Sequence, residues 1–139
     1  MELGLMDIYT DGACHGSTKV GGIGIVFVKD NKVIHKFNKQ FTNTTNNRME
    51  IYAVIYALHA ISKPMDSINI YSDSQYVLGC ITKNWTRKKN SDLWQLFDIV
   101  YNKAITLCPN IQFNWIKGHD TNEFNNTADK LAVEASNFI

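Results

Sequence analysis

The chain is organised around Ile8-Tyr9-Thr10-Asp11-Gly12-Ala13, a short β-like run that ends in a carboxylate and a glycine. Alternating polarity predicts a strand over residues 5–13, with Tyr9 and Asp11 on one face and Ile8 and Thr10 on the other. An acid in this place either decorates a soluble surface or belongs to a site. Three later acids are candidates to meet it: Glu50, Asp73 and Asp129.

Length and composition predict a single soluble domain over residues 1–139. The hydrophobic content of 45% and charged content of 19% are typical of globular proteins and exclude a fibrous or disordered chain. No apolar run approaches the ~20 residues that span a bilayer, and no signal segment opens the sequence. The three cysteines fit neither a disulfide framework nor a C-x-x-C metal site, so we expect a reducing, cytoplasmic location.

The order of predicted elements is β-β-β-α-β-α-α-β-α. Strands are expected over 5–13, 23–28, 33–41, 67–73 and 111–117; helices over 49–61, 74–83 and 91–107, with a last helix capped by Asn126 or Thr127. Tight turns join the first three strands, which predicts an antiparallel meander. Helices between the later strands require crossover connections. We therefore expect one α/β domain, with a five-stranded mixed sheet whose last two strands are parallel to the first and helices on both faces.

The four acids fall at positions where a site can form. Asp11 and Asp73 each end a predicted strand, and open α/β sheets place their sites at such ends. Glu50 and Asp129 lie in the first turns of predicted helices, where compensation of the helix dipole explains Glu50 equally well when it is taken alone. Four clustered carboxylates would repel one another unless a cation joined them. Oxygen ligands without a Cys/His cluster favour Mg²⁺ or Mn²⁺, and suit two-metal phosphoryl chemistry.

One basic stretch follows the second predicted helix: Lys83-Asn84-Trp85-Thr86-Arg87-Lys88-Lys89, with four cations and no acid. Because the net charge is only +1, any attraction to nucleic acid must be local. Charge alone favours a solvated loop. Trp85 among the cations, with Trp94 nearby, favours contact with phosphates and sugars instead.

Five stretches in this order resemble the motifs of type 1 ribonuclease H: Tyr9-Thr10-Asp11-Gly12-Ala13, Thr45-Asn46-Asn47-Arg48-Met49-Glu50, Tyr71-Ser72-Asp73-Ser74-Gln75-Tyr76-Val77, Asn90-x-Asp92-Leu93-Trp94 and Trp115-Ile116-Lys117-Gly118-His119. A sixth, Ala128-Asp129-Lys130-Leu131-Ala132, resembles the last motif of that family. The similarity covers roughly residues 5 to 137. A single short motif would be weak, whereas this series on the predicted elements is highly specific, and it implies a ribonuclease H-like fold.

The resemblance implies an endonuclease that hydrolyses the RNA strand of RNA–DNA hybrids and leaves 5′-phosphate and 3′-hydroxyl ends. It further implies two Mg²⁺ ions per active site, for which Mn²⁺ can substitute. Asp11 would bridge both metals, Glu50 and Asp73 would complete the one at the leaving 3′-oxygen, and Asp129 would complete the one that activates water. His119 would shuttle protons or help to release product, which suits the ordinary pKa of histidine.

Substrate contacts are also implied by the resemblance: Gly12, Cys14, Thr45, Asn46, Asn47, Gln75, Asn84, Trp85, Arg87, Lys88, Lys89, Asn90 and Trp94. The backbones of Gly12 and Cys14, with Glu50, would sense 2′-hydroxyls, although a free cysteine is more often simply a small buried residue. Gly12 would be small so that backbone and RNA approach closely. Thr45 would hold a DNA phosphate and Trp94 would stack on a DNA sugar. Three amides would reach minor-groove base edges without reading sequence: Asn46, Asn47 and Gln75.

The chain departs from the family pattern in its basic loop. The segment between Trp85 and Asp92 is shorter than in many bacterial members, so only three cations of a basic protrusion remain: Arg87, Lys88 and Lys89. We therefore expect lower affinity for the hybrid, or a partner that compensates. Two smaller departures are Asn126, where the family commonly has an acid, and Ser17, where asparagine is frequent.

Three alternatives differ in chemistry or context: a catalytically weak nucleic-acid-binding module of the same fold, a structure-selective nuclease of the wider superfamily, and the nuclease module of a polymerase assembly. The four acids together with His119 argue against the first. The matches at 45–47 and Gln75 argue against the second. The expected partner is the hybrid duplex, bound by a monomer that lacks a separate hybrid-binding domain and does not contact membranes.

Overall fold

The computed structural model describes residues 4–118 and 121–137. Its elements are, in chain order, β1 (Leu5–Cys14), β2 (Gly21–Lys29), β3 (Lys32–Phe41), α1 (Asn46–His59), β4 (Ser67–Ser72), α2 (Gln75–Thr82), α3 (Ser91–Leu107), β5 (Ile111–Trp115) and α4 (Glu123–Ser136). This order confirms the predicted one. Among these helices, none is both long and apolar enough to cross a membrane.

The five strands form one mixed sheet in the order β3-β2-β1-β4-β5. β2 pairs antiparallel with both β1 and β3, whereas β4 pairs parallel with both β1 and β5. The predicted sheet is therefore confirmed. Because β1 lies at its centre, a side chain on either face of β1 lies beneath a covering helix.

Two apolar layers enclose the sheet. The larger layer contains Ile8 of β1, Met49 of α1 and Phe97 of α3, all nearly inaccessible to solvent. The smaller layer joins Tyr9, on the opposite face of β1, to Ala128 of α4. Burial on both faces explains why β1 has apolar or uncharged residues at successive positions before Asp11.

Helix α4 begins earlier than the sequence predicts. Its N-cap is Asn122, whose Oδ1 accepts hydrogen bonds from the backbone N–H groups of Phe124 at 3.0 Å and Asn125 at 2.9 Å. The predicted cap at Asn126 or Thr127 is therefore wrong. The polar run has no helical stripe of its own, but the ring of Phe124 packs 5.5 Å from that of Tyr9 and extends the helix by a tertiary contact.

The new start of α4 changes the position of Asp129. This residue lies in the second turn of the helix rather than the first, where the sequence placed it. The charge of a carboxylate interacts with the helix dipole mainly in the first turn, so dipole compensation does not account for Asp129.

Candidate active site

Asp11 lies where the two central strands separate. The parallel ladder between β1 and β4 ends at the pair Tyr9 and Tyr71, while β1 continues beside β2 to Cys14. Asp11 is thus inside β1, and the prediction that it ends the strand is wrong; what ends there is the pairing with β4. The Oγ1 of buried Thr10 donates a 2.8 Å hydrogen bond to the Tyr71 carbonyl and fastens the two strands at this point.

Asp73 is the first residue after β4. The residues on each side of it have fixed main chains: the Ser72 Oγ accepts from the Ser74 N–H at 3.1 Å, and the Ser74 Oγ caps α2 by accepting from the Val77 N–H at 3.2 Å. The sequence Ser-Asp-Ser therefore turns the chain sharply from strand to helix. This turn places the Asp73 carboxylate just beyond the carboxyl end of β4.

Glu50 comes from α1, which lies on the face of the sheet opposite α4. Thr45 caps this helix by accepting a 3.2 Å hydrogen bond from the Arg48 N–H, and the first turn contains no acid. Glu50 is past that turn and only 6% exposed, so the dipole explanation for it is excluded. Acids that make a protein soluble are exposed on its surface, so solubility does not explain a buried glutamate.

Gly12 brings α1 to the sheet. A Cβ at this position would lie 2.5 Å from the Glu50 backbone nitrogen and from the Met49 carbonyl carbon. Helix α1 therefore occupies the space that any larger residue would need. The packing of β1 against α1 therefore already requires glycine here, and the predicted approach of RNA to the Gly12 backbone stays a prediction. The Gly12 N–H donates to the Asp11 carboxylate at 2.9 Å.

Carboxylate oxygens of Asp11, Glu50 and Asp73 lie within 4.8 Å of one another. The Asp129 carboxyl, brought by α4, interacts with that of Asp11. Burial raises the pKa of Asp11 to about 8, and the charge of Asp73 adds to this increase. Burial also raises the pKa of Glu50 well above its usual range, with further contributions from the charges of Asp11 and Asp73.

The cluster fits a divalent cation. Glu50 Oε1 is buried and, among the residues that the structure describes, has no hydrogen-bond partner. A buried acceptor without a partner is costly, and carboxyls with raised pKa values are poorly solvated as anions. A bound cation would correct both defects. All the donors in this cluster are oxygens, which is the ligand set of Mg²⁺ and Mn²⁺ rather than of zinc.

Predicted minor-groove residues lie at the start of helices beside the acids. Asn46 and Asn47 open α1, Gln75 opens α2, and all three are exposed. Thr45 is also exposed. Cys14 ends β1 at intermediate burial, and its thiol donates to the Thr44 carbonyl at 3.5 Å. These side chains are placed around the acids, and their roles toward a nucleic acid remain predictions.

Trp94 belongs to the core. It is 2% exposed, and its ring makes edge contacts with Phe97 at 5.5 Å and Tyr76 at 6.5 Å. The prediction that Trp94 stacks on a DNA sugar is therefore wrong, because α3 turns this side chain inward. Trp85, which is 46% exposed, is the tryptophan of the basic stretch that a ligand can reach.

Arg87 anchors the basic loop to the rest of the fold. Its guanidinium lies 4.7 Å from the Trp94 ring centroid, pairs with Asp98 at 3.0 Å, and donates from Nε to the Cys80 carbonyl at 3.3 Å. Lys88 and Lys89, in contrast, are exposed. The three cations that the sequence grouped together therefore divide into one with structural contacts and two that face solvent.

Sequence reasoning did not assign a role to Arg48. Its guanidinium forms two hydrogen bonds with Asp92, at 2.8 and 3.1 Å, and a third with the Asn90 side chain at 3.3 Å. Arg48 thereby joins the beginning of α1 to the beginning of α3. Both ends of this pair lie in motifs recognised from the sequence, but only the fold shows that they meet. Asn84 and Asn90 both have left-handed backbones, with φ of 55° and 61° respectively.

His119 lies outside the described residues, so its predicted role in proton transfer has no structural counterpart here.

Known proteins are similar in sequence to almost the whole chain. The family model for RNase H matches residues 5–137. A protein named Ribonuclease H from Trichodesmium erythraeum is 36% identical over 138 residues, covering 93% of this chain and 87% of the relative. Another from Chromobacterium violaceum is 39% identical over 140 residues, covering 91% of each chain.

Solved structures share the fold. RNase H1 from the archaeon Halobacterium salinarum superimposes with a TM-score of 0.77 at 27% identity, covering 95% of this chain and 97% of that one. LC11-RNase H1, solved in complex with an RNA/DNA hybrid, gives a TM-score of 0.79 at 26% identity, with coverages of 94% and 95%. The fold and the enzyme class predicted from the motifs are confirmed, and the chain belongs to the ribonuclease H family.

Proposed function

We propose that this chain cleaves the RNA strand of RNA–DNA hybrids and leaves 5′-phosphate and 3′-hydroxyl ends. The observation that carries the proposal is the group of carboxylates of Asp11, Glu50 and Asp73, the first two buried and the third half-buried, with oxygens within 4.8 Å of one another. The hybrid bound to LC11-RNase H1 supports the choice of substrate. We propose Mg²⁺ as the natural cofactor, with Mn²⁺ as a substitute.

Asp11 is the residue best placed to be a shared ligand. Its carboxylate is close to Glu50 and Asp73 and also interacts with Asp129, so it stands between them. We assign Glu50 and Asp73 to one cation and Asp129 to the other. Two bound cations would stabilise the charge on the attacking and leaving oxygens of the phosphodiester. The protein's own contribution is to hold four ligands in a closed arrangement before the substrate arrives.

Recognition of the hybrid is proposed to use the exposed starts of α1 and α2. Asn46, Asn47 and Gln75 are near the acids and can donate or accept hydrogen bonds from base edges in a wide minor groove. Thr45 Oγ1 accepts the capping bond of α1, so its O–H can still be donated to a phosphate oxygen. Trp85 takes the sugar-stacking role predicted for Trp94, because it is the one of the two that solvent reaches.

The exposed lysines of the basic loop complete this surface. Lys88 and Lys89 are exposed cations that follow Trp85 in the chain, and we propose that they contact backbone phosphates of the bound duplex. Their contribution is electrostatic and independent of sequence. We further propose that the chain acts as a cytoplasmic monomer, which is consistent with three cysteines that are all unpaired.

The test is cleavage of a hybrid with labelled RNA in the presence of Mg²⁺, beside double-stranded RNA and double-stranded DNA of the same sequence. We expect cleavage of RNA in the hybrid alone, and loss of at least 1,000-fold in rate for Asp11→Asn, on the order of what removal of a group essential to charge stabilisation costs. Asp30→Asn, an exposed acid in the turn after β2, is the matched control. Cleavage of double-stranded DNA at the same rate would refute the proposed substrate.

A binding assay separates the enzyme from a non-catalytic module of the same fold. Asp11→Asn keeps the surface of α1, α2 and the basic loop, so it should bind the hybrid about as well as the unmodified chain. If the unmodified chain binds the hybrid but does not cut it with either Mg²⁺ or Mn²⁺, the binding module is the better description.

A further inference from the structure

Trp115 is half exposed at the end of an edge strand, yet its polar atom is hydrogen-bonded to the main chain of another segment. It is the last residue of β5 and 50% exposed. Its indole Nε1 donates a 3.2 Å hydrogen bond to the main-chain carbonyl of Asp73. We propose that Trp115 is a positioning residue that fixes the carboxylate of Asp73 for metal binding. This inference rests on the proposed function, in which Asp73 is a metal ligand.

Asp73 needs such support because it lies just beyond the sheet. The ladder between β4 and β5 ends at the pair Ser72 and Trp115, and its last backbone bond runs from the Ile116 N–H to the Ser72 carbonyl at 3.0 Å. The serine bonds on each side of Asp73 hold its neighbours. The indole bond is the contact, among the described residues, that holds the carbonyl of Asp73 itself.

The main chain at Gly118 lies against the side chain of Asp73. A Cβ at Gly118 would lie 2.7 Å from Oδ2 of Asp73, which is closer than a carbon and an oxygen can approach. The main chain at Gly118 therefore closes one side of the Asp73 carboxylate. The carboxylate is left facing Asp11 and Glu50, whose oxygens it approaches within 4.8 Å. The segment 115–118 thus contacts Asp73 at both its backbone and its side chain.

Because the indole bond is exposed to solvent, its loss should cost the fold little, whereas its effect on the orientation of Asp73 can be measured separately. Groups that orient a metal ligand typically change metal affinity or activity by 10–100-fold when they are removed. The simpler explanation is that Trp115 only stabilises the end of β5. The two explanations differ in one measurable quantity: a purely structural role lowers the free energy of unfolding, but leaves the metal affinity of the folded protein unchanged.

The experiment compares Trp115→Phe with Phe113→Leu by calorimetric titration with Mn²⁺ alone, without nucleic acid, together with urea unfolding. Trp115→Phe keeps an aromatic ring and removes the N–H donor. Phe113→Leu changes the same strand and the same face, where Phe113 packs 6.1 Å from Phe97, and does not touch Asp73. We expect about tenfold weaker Mn²⁺ binding in Trp115→Phe, and binding within twofold of the unmodified chain in Phe113→Leu despite its lower stability.

Gly118→Ala provides a second variant that does not depend on the indole. Its methyl group meets the mobile end of a side chain rather than main chain, so the fold should survive while the Asp73 carboxylate moves. We expect a similar loss of Mn²⁺ affinity. Affinity within twofold of the unmodified chain in both Trp115→Phe and Gly118→Ala would overturn the inference, as would an equal loss in Phe113→Leu.

Asp73→Asn separates failure of this inference from failure of the proposed function. If Asp73→Asn abolishes Mn²⁺ binding and the other variants do not change it, the metal site stands and only the positioning role of Trp115 is wrong. If Asp73→Asn leaves Mn²⁺ affinity unchanged, then Asp73 is not a ligand, and both proposals fail at this residue.

Discussion

Replacement of Asp11 by Asn should make the metal-free protein more stable at neutral pH. Burial raises the pKa of Asp11 to about 8 from 3.8, so between these values the folded chain keeps a proton that the unfolded chain has released. Because the folded state binds more protons, the free energy of unfolding falls as pH rises through this window. The slope is about 1.4 kcal/mol per pH unit for one proton, or about 2.7 kcal/mol between pH 5 and 7. Asn carries no such proton and removes this slope.

Metal should reverse the trend in the unmodified chain only. Divalent cations bind ionised carboxylates, so excess Mg²⁺ stabilises the folded state more strongly as pH rises and flattens the decline. Asp11→Asn lacks the ligand that stands between the other acids, so its stability should respond little to Mg²⁺. Burial also raises the pKa of Glu50 and adds a decline of the same sign in both proteins. Because Asp11 contributes to that shift, the pH slope lost in Asp11→Asn includes part of the Glu50 contribution.

Urea unfolding followed by circular dichroism at pH 5, 6 and 7, with EDTA or with MgCl₂, measures both effects. Asp30→Asn changes the net charge equally at an exposed turn and should follow the unmodified chain. The reasoning is refuted if Asp11→Asn shows the same pH slope as the unmodified chain in EDTA, or if Mg²⁺ stabilises the two proteins equally.

Three further predictions concern packing and the basic loop. Gly24→Ala would place a methyl group on the carbonyl oxygen of Ala128. Because neither backbone can move easily, we expect a loss of about 3 kcal/mol in the free energy of unfolding. A loss of less than ~0.5 kcal/mol, measured by thermal unfolding, would contradict this contact. Replacing both Lys88 and Lys89 by Gln should weaken hybrid binding without a change in stability. The slope of log affinity against log salt concentration should fall by the equivalent of about two phosphate contacts, measured by fluorescence anisotropy over a range of KCl. An unchanged salt slope in the double lysine variant would assign those two residues to a solvated loop. Arg87→Gln should instead lower the free energy of unfolding by about 1 kcal/mol, because the partners of Arg87 are within the protein.

The sequence predicted the elements and the acids because both depend on local patterns. Alternation in β1 and the β-branched run of β2 are independent of the rest of the chain, and the family motifs carry the four acids. The start of α4 was missed because the residues from Asn122 to Thr127 are polar and have no apolar stripe. Asn122 is a local cap signal, and the contact of Phe124 with Tyr9, distant in sequence, adds the tertiary support for a helix there.

Trp94 shows a second limit of the same kind. Periodicity in the sequence predicts an apolar face on α3 made of Leu93, Leu96, Phe97, Val100, Ala104 and Leu107, and all of these except Leu96 and Leu107 are buried. The stripe has two flanks, Trp94 on one side and Leu96 on the other, and periodicity does not tell which of them faces the core. In the structure Leu96 is 36% exposed and Trp94 is 2% exposed. The side that α3 buries is set by its neighbours, including the guanidinium of Arg87 above the Trp94 ring.

Glycines at three positions explain how the chain forces carboxylates together despite their repulsion. Gly12 lets the backbone of α1 approach β1 and carries Glu50 to the sheet. Gly24, paired with Asp11 in the sheet, lets α4 approach from the opposite face with Asp129. Each approach brings main chain against main chain, which is less deformable than a contact between flexible side chains. The acids therefore cannot separate to relieve their repulsion, and in the absence of metal the molecule responds by holding protons, as the raised pKa values of Asp11 and Glu50 show. Gly118 adds a softer constraint at Asp73, where its main chain lies against the carboxylate side chain rather than against another main chain. Because the backbone holds the carboxylates in place, their repulsion can be relieved only by bound protons or by a bound cation. Such a site can exchange its protons for a cation without moving its ligands.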